Sequence, residues 1–197
     1  MFTGVIAEIG AVRHTAPRAS GLRLEIASSL VAQELGLDAS VNVAGVSLTV
    51  VERDTHGFAV DVNAETLSRT TLARAIRGTR VNLEAAATPT TALGGHFVQG
   101  HVEATTKLVG RREPGGGVAR LRFAVPKSLA RYIVTRGFIA IDGVSATVAA
   151  VGKTFFEIAL LPHAAERTTL GALERGDLVN VETDVLAKYV ERLVRKA

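Results

Sequence analysis

Residues 44–50 read AGVSLTV and residues 142–148 read DGVSATV, so nearly the same heptapeptide occurs twice, 98 positions apart. The similarity continues on both sides of it. LRLEIASSL at 22–30 resembles LRFAVPKSL at 121–129, and SRTTLARAIRGTRVNLE at 68–84 resembles ERTTLGALERGDLVNVE at 166–182. We therefore interpret the chain as two copies of one unit of about 90 residues, joined near AAATPTTALGG at 85–95.

Within each copy, apolar and polar residues alternate along the heptapeptide. Val46, Leu48 and Val50 have one parity, whereas Ser47 and Thr49 have the other, and on a strand these two sets point to opposite faces. Short apolar segments separated by Gly, Pro, Asn and Asp are typical of a small barrel or sandwich. Two copies are too few for a solenoid, so each unit is expected to form a small domain with its own core.

The C-terminal stretch DVLAKYVERLVRKA at 184–197 has no counterpart in the first copy. Leu186, Tyr189, Val190 and Leu193 form one apolar stripe at helical spacing, and Asp184 is a suitable N-cap. Such a stripe is buried either against its own chain or against copies of the same helix. We favour association with copies.

Composition restricts the function classes. Of the 197 residues, 47% are hydrophobic and 21% charged, as in globular proteins. No apolar run reaches the length of a membrane span, and the absence of cysteine removes thiolate catalysis and cysteine-ligated metals. The net charge of +4 is spread along a chain without tryptophan, which disfavours nucleic-acid binding. A cytoplasmic location is the default expectation.

Candidate chemistry lies in the hydroxyl pairs Ser47/Thr49 and Ser145/Thr147, which can both donate and accept hydrogen bonds. One interpretation is an ordinary solvated strand face, and the repetition favours a duplicated ligand pocket instead. His101 is the stronger candidate for a site residue, because nearby glycines permit close approach of the backbone. His96 and His101, five apart on a strand, would face opposite sides, which disfavours a metal site between them.

Several motifs together resemble riboflavin synthase of the alpha-chain type. They are MFTGVIAEIG, the pair GVSLTV and GVSATV, LGGHFVQGHVE, RGFIAIDGVSATV, ERTTLG and VNVETDVLAKYVERLV, which span essentially the whole chain in order. The resemblance implies an all-β fold of two homologous six-stranded antiparallel Greek-key closed barrels, at 1–90 and 91–184. It also implies a C-terminal α-helix at 185–197 that holds a homotrimer together.

The resemblance further implies a reaction. Two molecules of 6,7-dimethyl-8-ribityllumazine give riboflavin and 5-amino-6-ribitylamino-uracil by transfer of a four-carbon unit, without cofactor or metal. Each barrel would hold one substrate, where the N-terminal barrel of one subunit faces the C-terminal barrel of its neighbour. The implied partners are this lumazine, riboflavin, further copies of the chain and lumazine synthase, with no nucleic acid or membrane.

Site residues are also implied, position by position. We expect His101 and the Ser47/Thr49 pair to handle protons and activate the nucleophile. The expected catalytic residues are His101, Ser47, Thr49, Phe2, Ser145, Thr147 and Asp184. The expected substrate-binding residues are Thr3, Gly4, Val5, Thr66, Ala64, Gly100, Arg136, Ile141, Asp142 and Ala164.

The chain departs from the family pattern at several positions. Ala44 replaces the usual Asn, Ser47 the usual Cys, Arg136 the common Lys and Ala164 a common Thr. These changes keep open a paralogue on the same scaffold that binds lumazine or flavin without catalysis, or that joins a related small molecule. A trimerising module without a ligand would leave the paired hydroxyl pockets unexplained.

Overall fold

A computed structural model describes residues 1–194 and confirms the expected fold class of two closed six-stranded antiparallel barrels followed by a helix. In the first barrel the strands neighbour one another in the order β1-β2-β5-β4-β3-β6, and β6 closes on β1. Its strands are β1 (Glu8–Arg18), β2 (Gly21–Ala27), β3 (Ser40–Val43), β4 (Val46–Asp54), β5 (Gly57–Asn63) and β6 (Arg80–Ala85).

The second barrel repeats this arrangement. Its ring runs β7-β8-β11-β10-β9-β12, which is the first ring with each strand replaced by its counterpart. The strands are β7 (Ala104–Arg112), β8 (Ala119–Ala124), β9 (Phe138–Ile141), β10 (Val144–Val151), β11 (Phe155–Leu160) and β12 (Leu178–Thr183).

The repeated heptapeptide forms a tight hairpin in each barrel. Ala44 and Gly45 join β3 to β4 at φ 49° and 86°, and Asp142 and Gly143 join β9 to β10 at φ 45° and 80°. Two consecutive residues with positive φ are the geometry of the two-residue hairpin turn that suits the strand twist. In β4 the predicted alternation is confirmed. Val46, Leu48 and Val50 are buried, whereas Ser47 and Thr49 are not.

Short helices lie beside the strands. They are α1 (Val31–Glu34), α2 (Ala64–Arg69) and α3 (Pro162–Arg167), with 3-10 turns at Thr71–Arg74, Ala130–Tyr132 and Thr169–Ala172. The stretches SSLVAQEL at 28–35 and KSLARYIV at 127–134, whose patterns each predict one short helix, form only α1 and the 3-10 turn at Ala130–Tyr132. The helices α2 and α3 follow β5 and β11 in the chain and occupy equivalent positions in the two copies.

Each barrel has its own apolar core, as the repeat predicts. The two barrels are joined by a reciprocal pair of asparagine amides. Asn82 Nδ2 donates to the Asp142 carbonyl at 3.0 Å, and Asn180 Nδ2 donates to the Ala44 carbonyl at 2.7 Å. Buried side-chain amides satisfied in this way fix one orientation of the barrels.

The segments that precede the two barrels are exchanged between them. Residues 1–7 lead into β1 but reach the second barrel, where the Ser145 amide donates to the Gly4 carbonyl at 2.9 Å. Residues 96–103 lead into β7 but reach the first barrel, where the Ser47 amide donates to the Gly100 carbonyl at 2.9 Å. We call these the N-terminal segment and the linker segment; they pair at a bridge between Phe2 and Val98.

The last helix, α4, spans Val185–Val194, and residues 195–197 of the expected helix lie outside the described residues. Asp184 caps it, since its Oδ1 accepts from the Leu186 amide at 3.0 Å. Its polar face contacts the linker segment through the ion pair Lys188–Glu103 at 3.0 Å and the second barrel through the ion pair Arg131–Glu191 at 2.8 Å. The apolar stripe faces outward and is 57–72% exposed: Leu186, Tyr189, Val190 and Leu193.

No helix within residues 1–194 is long and apolar enough to cross a lipid bilayer.

Candidate functional site

A cleft at the end of the first barrel gathers several of the expected residues. Strand β4 supplies Ser47, α2 supplies Thr66, and the linker segment supplies Gly100 and His101. The cleft has a volume of about 210 Å³. Its remaining lining residues are Val46, Glu65, Arg69, Thr70 and Val102.

The linker segment reaches this cleft because Gly100 has no side chain. A Cβ at this position would lie 2.7 Å from the Ser47 Cβ, and φ is +78°. Both conditions demand glycine. The close approach brings His101, which is exposed, to the mouth of a cleft lined by the Ser47 and Thr66 hydroxyls.

The second barrel repeats this contact with the N-terminal segment. Gly4 has φ +75°, and a Cβ there would lie 2.6 Å from the Ser145 Cβ. Gly4 and Gly100 are thus equivalent, so Val5 occupies the place in the second copy that His101 has in the first.

His96 is a site residue that the sequence reasoning missed. Its Nδ1 lies 2.7 Å from Ser145 Oγ, and its ring stacks on Phe138 with centroids 5.1 Å apart. Burial lowers the pKa of His96, while the negative charge of Asp184 acts in the opposite direction. The neutral imidazole can therefore exchange a hydrogen bond with the Ser145 hydroxyl.

His96 was missed because the segment around it was taken as a strand. Residues 96–103 form no regular strand, apart from the bridge at Val98, so the predicted opposite-face arrangement of His96 and His101 does not apply. The signal that could have found His96 is the run GGHFVQGH itself, in which a glycine precedes each histidine. Among the described residues no group of three His, Asp or Glu side chains is placed to hold a metal ion.

The first cleft and the equivalent region around Ser145 in the second barrel differ in polarity. Thr66 on α2 corresponds to Ala164 on α3, and Glu65 corresponds to His163, while an arginine follows at the same place in both. The first cleft therefore has the Thr66 hydroxyl and His101, whereas the region around Ser145 has Ala164 and Val5 at these places and has the His96–Ser145 pair instead.

The other expected residues are spread around these clefts. Phe2 is fully buried and packs with Val98 of the linker segment and Ala140 of β9. Thr3 is buried against Glu84, with its hydroxyl donating to Oε1 at 2.7 Å. Thr49 and Thr147 are exposed on β4 and β10, opposite Ser40 and Phe138. Val5 is exposed, and Ala64 is the first residue of α2.

Four further expected residues have other places in the fold. Ile141 is fully buried in the core of the second barrel. Asp142 lies in the β9–β10 turn between the barrels, where its Oδ1 accepts from the Asn180 amide at 2.7 Å. Arg136 stands in the turn before β9 with its amide bonded to the Val148 carbonyl, and Asp184 caps α4 near His96.

Comparisons with known proteins agree with this geometry. A model of the lumazine binding domain matches twice, at residues 3–86 and 99–184. Riboflavin synthase of Mycobacterium bovis is 45% identical, with 100% of both chains covered, and that of Photobacterium phosphoreum is 35% identical over 98% of this chain and 89% of the relative. A crystal structure of LumP complexed with riboflavin has a TM-score of 0.86 and 25% identity, covering 93% of this chain and 99% of that one. With matches of this extent, the chain belongs to the riboflavin synthase family and consists of two lumazine-binding domains.

Proposed function

We propose that the protein converts two molecules of 6,7-dimethyl-8-ribityllumazine into riboflavin and 5-amino-6-ribitylamino-uracil. One lumazine gives a four-carbon unit to the other, so the atoms balance without an added oxidant or cofactor, and the enzyme is a transferase. The observation that supports this most is the pair of equivalent serine–glycine contacts, one at the end of each barrel. A reaction between two identical molecules has use for two related pockets. We assign these pockets to the barrels of the units 1–90 and 91–184, each completed by the exchanged segment.

Positioning is the main catalytic device in this proposal. Holding two bound lumazines face to face removes the entropic cost of a bimolecular encounter, which is a large share of the activation barrier. The 7-methyl group of the lumazine is acidic because its carbanion is delocalised into the ring. Hydroxyls and an imidazole at the mouth of the cleft can then move its proton and stabilise the developing charge.

We assign proton handling to the first cleft. His101 and the Ser47 hydroxyl line the same cleft, and an imidazole and a hydroxyl can relay a proton between bound substrate and solvent. Ser145, whose hydroxyl meets a neutral His96, would serve the second lumazine. Phe2 fixes the N-terminal segment through its fully buried ring.

The site is proposed to be completed by a second subunit. A volume of about 210 Å³ is below the roughly 300–1,000 Å³ of typical ligand pockets, so further walls are needed. The outward apolar stripe of α4 provides a contact for other copies. We propose a homotrimer held by this helix, with each site between barrels of neighbouring subunits. The cytoplasmic location and the association with lumazine synthase are proposals that rest on the family alone.

A second candidate is a protein that binds lumazine or flavin without catalysis. Two observations favour it: Ala164 lacks the hydroxyl that the equivalent Thr66 has in the first cleft, and the fold matches LumP, whose structures hold 6,7-dimethyl-8-(1'-D-ribityl) lumazine and riboflavin.

One experiment separates the two candidates. Purified protein is titrated with 6,7-dimethyl-8-ribityllumazine to obtain its affinity, and the same sample is followed for riboflavin by its absorbance. We expect binding and sustained riboflavin formation. Binding without product would favour the non-catalytic candidate, and reversion of Ala164 to Thr would then be the first variant to assay.

A further inference from the structure

We propose that Glu182 and Glu84 are positioning residues that act across the barrels: each buried carboxylate holds the segment that completes the pocket of the opposite barrel. Glu182 belongs to β12 of the second barrel but shapes the first cleft. Glu84 belongs to β6 of the first barrel but shapes the region around Ser145.

The Glu182 carboxylate binds three consecutive amides of the linker segment. Its Oε1 accepts from Gln99 N at 2.7 Å, and its Oε2 accepts from Gly100 N at 2.8 Å and from His101 N at 2.9 Å. Glu182 is 2% exposed. The backbone that carries His101 is therefore fixed by a single side chain, which comes from β12 of the second barrel.

Glu84 makes the equivalent contacts with the N-terminal segment. Its Oε1 accepts from both the amide and the hydroxyl of Thr3 at 2.7 Å, and its Oε2 accepts from the Gly4 amide at 3.0 Å. It is 6% exposed. Glu84 and Glu182 are 98 positions apart, the offset of the repeat, so the same device occurs once per copy.

The chemistry of these contacts explains why a carboxylate is needed. Burial raises the pKa of both groups, and the backbone hydrogen bonds act against this rise. Amide donors to a buried carboxylate are charge-assisted and short, and losing their acceptor leaves buried N–H groups without partners. An amide side chain in the same place would turn one acceptor oxygen into a donor that faces an N–H group.

Each segment also accepts a hydrogen bond from a serine of the barrel opposite the one that supplies its glutamate. The carbonyl of Gly100, between two of the clamped amides, accepts from Ser47 N, and the carbonyl of Gly4 accepts from Ser145 N. Release of a carboxylate therefore reaches the pocket of the other barrel. A merely structural glutamate would affect its own barrel first, and this difference makes the inference testable.

The first test needs no ligand, so it does not depend on the proposed function. Amide hydrogen exchange is measured in full-length Glu182→Gln and Glu84→Gln proteins, each serving as the control for the other. We expect Glu182→Gln to speed exchange at Gln99, Gly100, His101 and Ser47 by about tenfold or more, with Thr3, Gly4 and Ser145 unchanged. Glu84→Gln should give the mirror pattern. Acceleration confined to the variant's own barrel, or equal in both barrels, would overturn the inference.

The second test uses 6,7-dimethyl-8-ribityllumazine and rests on the proposed function. Ligand-induced amide shifts should disappear at Ser47 and Thr66 in Glu182→Gln, and around Ser145 in Glu84→Gln, while the other pocket keeps its response. Failure of the parent protein to bind the lumazine would count against the proposed function and leave the exchange result standing. Retention of both responses in both variants would contradict the positioning role.

A pair of glycine variants covers the case in which a glutamine variant fails to fold. Gly100→Ala places a Cβ 2.7 Å from the Ser47 Cβ and leaves Glu182 intact, and Gly4→Ala does the same at Ser145. The first should impair only the first cleft and the second only the Ser145 region. Loss of both pockets in either variant would show that the segments do not act separately.

Discussion

Ser47 and Ser145 are equivalent in the repeat, yet they meet different partners. Ser145 Oγ lies 2.7 Å from His96 Nδ1, whereas Ser47 shares its cleft with His101 and Thr66. Gly100 is followed by His101, whereas the equivalent Gly4 is followed by Val5, and His96 approaches Ser145. The equivalent serines therefore have unequal surroundings, which agrees with the proposed reaction between a donor and an acceptor.

His101 is expected to act in turnover more than in binding. We predict that His101→Ala lowers kcat at least tenfold, while the Kd for the lumazine changes less than threefold, because proton transfer commonly contributes about 10²–10⁴-fold in rate. Steady-state kinetics and equilibrium titration measure the two quantities. His14→Ala, an exposed histidine on β1, is the control and should leave both unchanged. Parental turnover in His101→Ala would remove this residue from the mechanism.

Asp142 should make stability depend on pH. Burial raises its pKa to about 7, although the hydrogen bond from the Asn180 amide opposes this, and Arg74, Arg80, Lys107 and Asp177 line the same cleft between the barrels. A carboxyl whose pKa is higher in the folded than in the unfolded protein costs stability as pH rises from about 4 to about 7. Asp142→Asn keeps the Oδ1 acceptor and removes that cost.

We therefore predict that Asp142→Asn is more stable than the parent at pH 8 and that the advantage shrinks towards zero by pH 4. Denaturant unfolding across this range gives the free energy of unfolding at each pH. The control is Asp38→Asn, the same exchange at an exposed position that also has positive φ. An Asp142→Asn advantage that is constant with pH would contradict the account.

At the scale of elements, the sequence predicts the barrels well because their signal is local. The alternation around Ser47 and the turn residues between β3 and β4 are both visible in the heptapeptide, and the repeat doubles that evidence. The exchange of the two segments leaves no such pattern, because contacts of Gly4 with Ser145 and of Gly100 with Ser47 join residues far apart in the chain. For the same reason His96 and the two glutamates were missed.

The helix α4 turns its polar face to its own chain, where Lys188 pairs with Glu103, and its apolar stripe to the outside. We predict that deleting residues 185–197 gives monomers, as does the double change Leu186→Asp/Val190→Asp, because we propose the stripe as the contact between copies. Sedimentation velocity measures the assembly. Arg192→Ala, outside the stripe, is the control and should remain a trimer. A stripe variant that still sediments as a trimer would refute this role.

At the scale of the whole molecule, two barrels of one design are held in one orientation by Asn82 and Asn180 and by the exchanged segments. The repeat places the same serine–glycine contact in both barrels, and differences such as Thr66 against Ala164 make the surroundings of the two contacts unequal. This arrangement suits a reaction in which two identical molecules take different roles.

The stoichiometry of the reaction tests the proposed dismutation. The purified protein is incubated with 6,7-dimethyl-8-ribityllumazine alone, and substrate and products are quantified by chromatography. We predict that two lumazines disappear for each riboflavin and each 5-amino-6-ribitylamino-uracil formed. Tight binding with no riboflavin, or riboflavin without an equal amount of the pyrimidine, would contradict it.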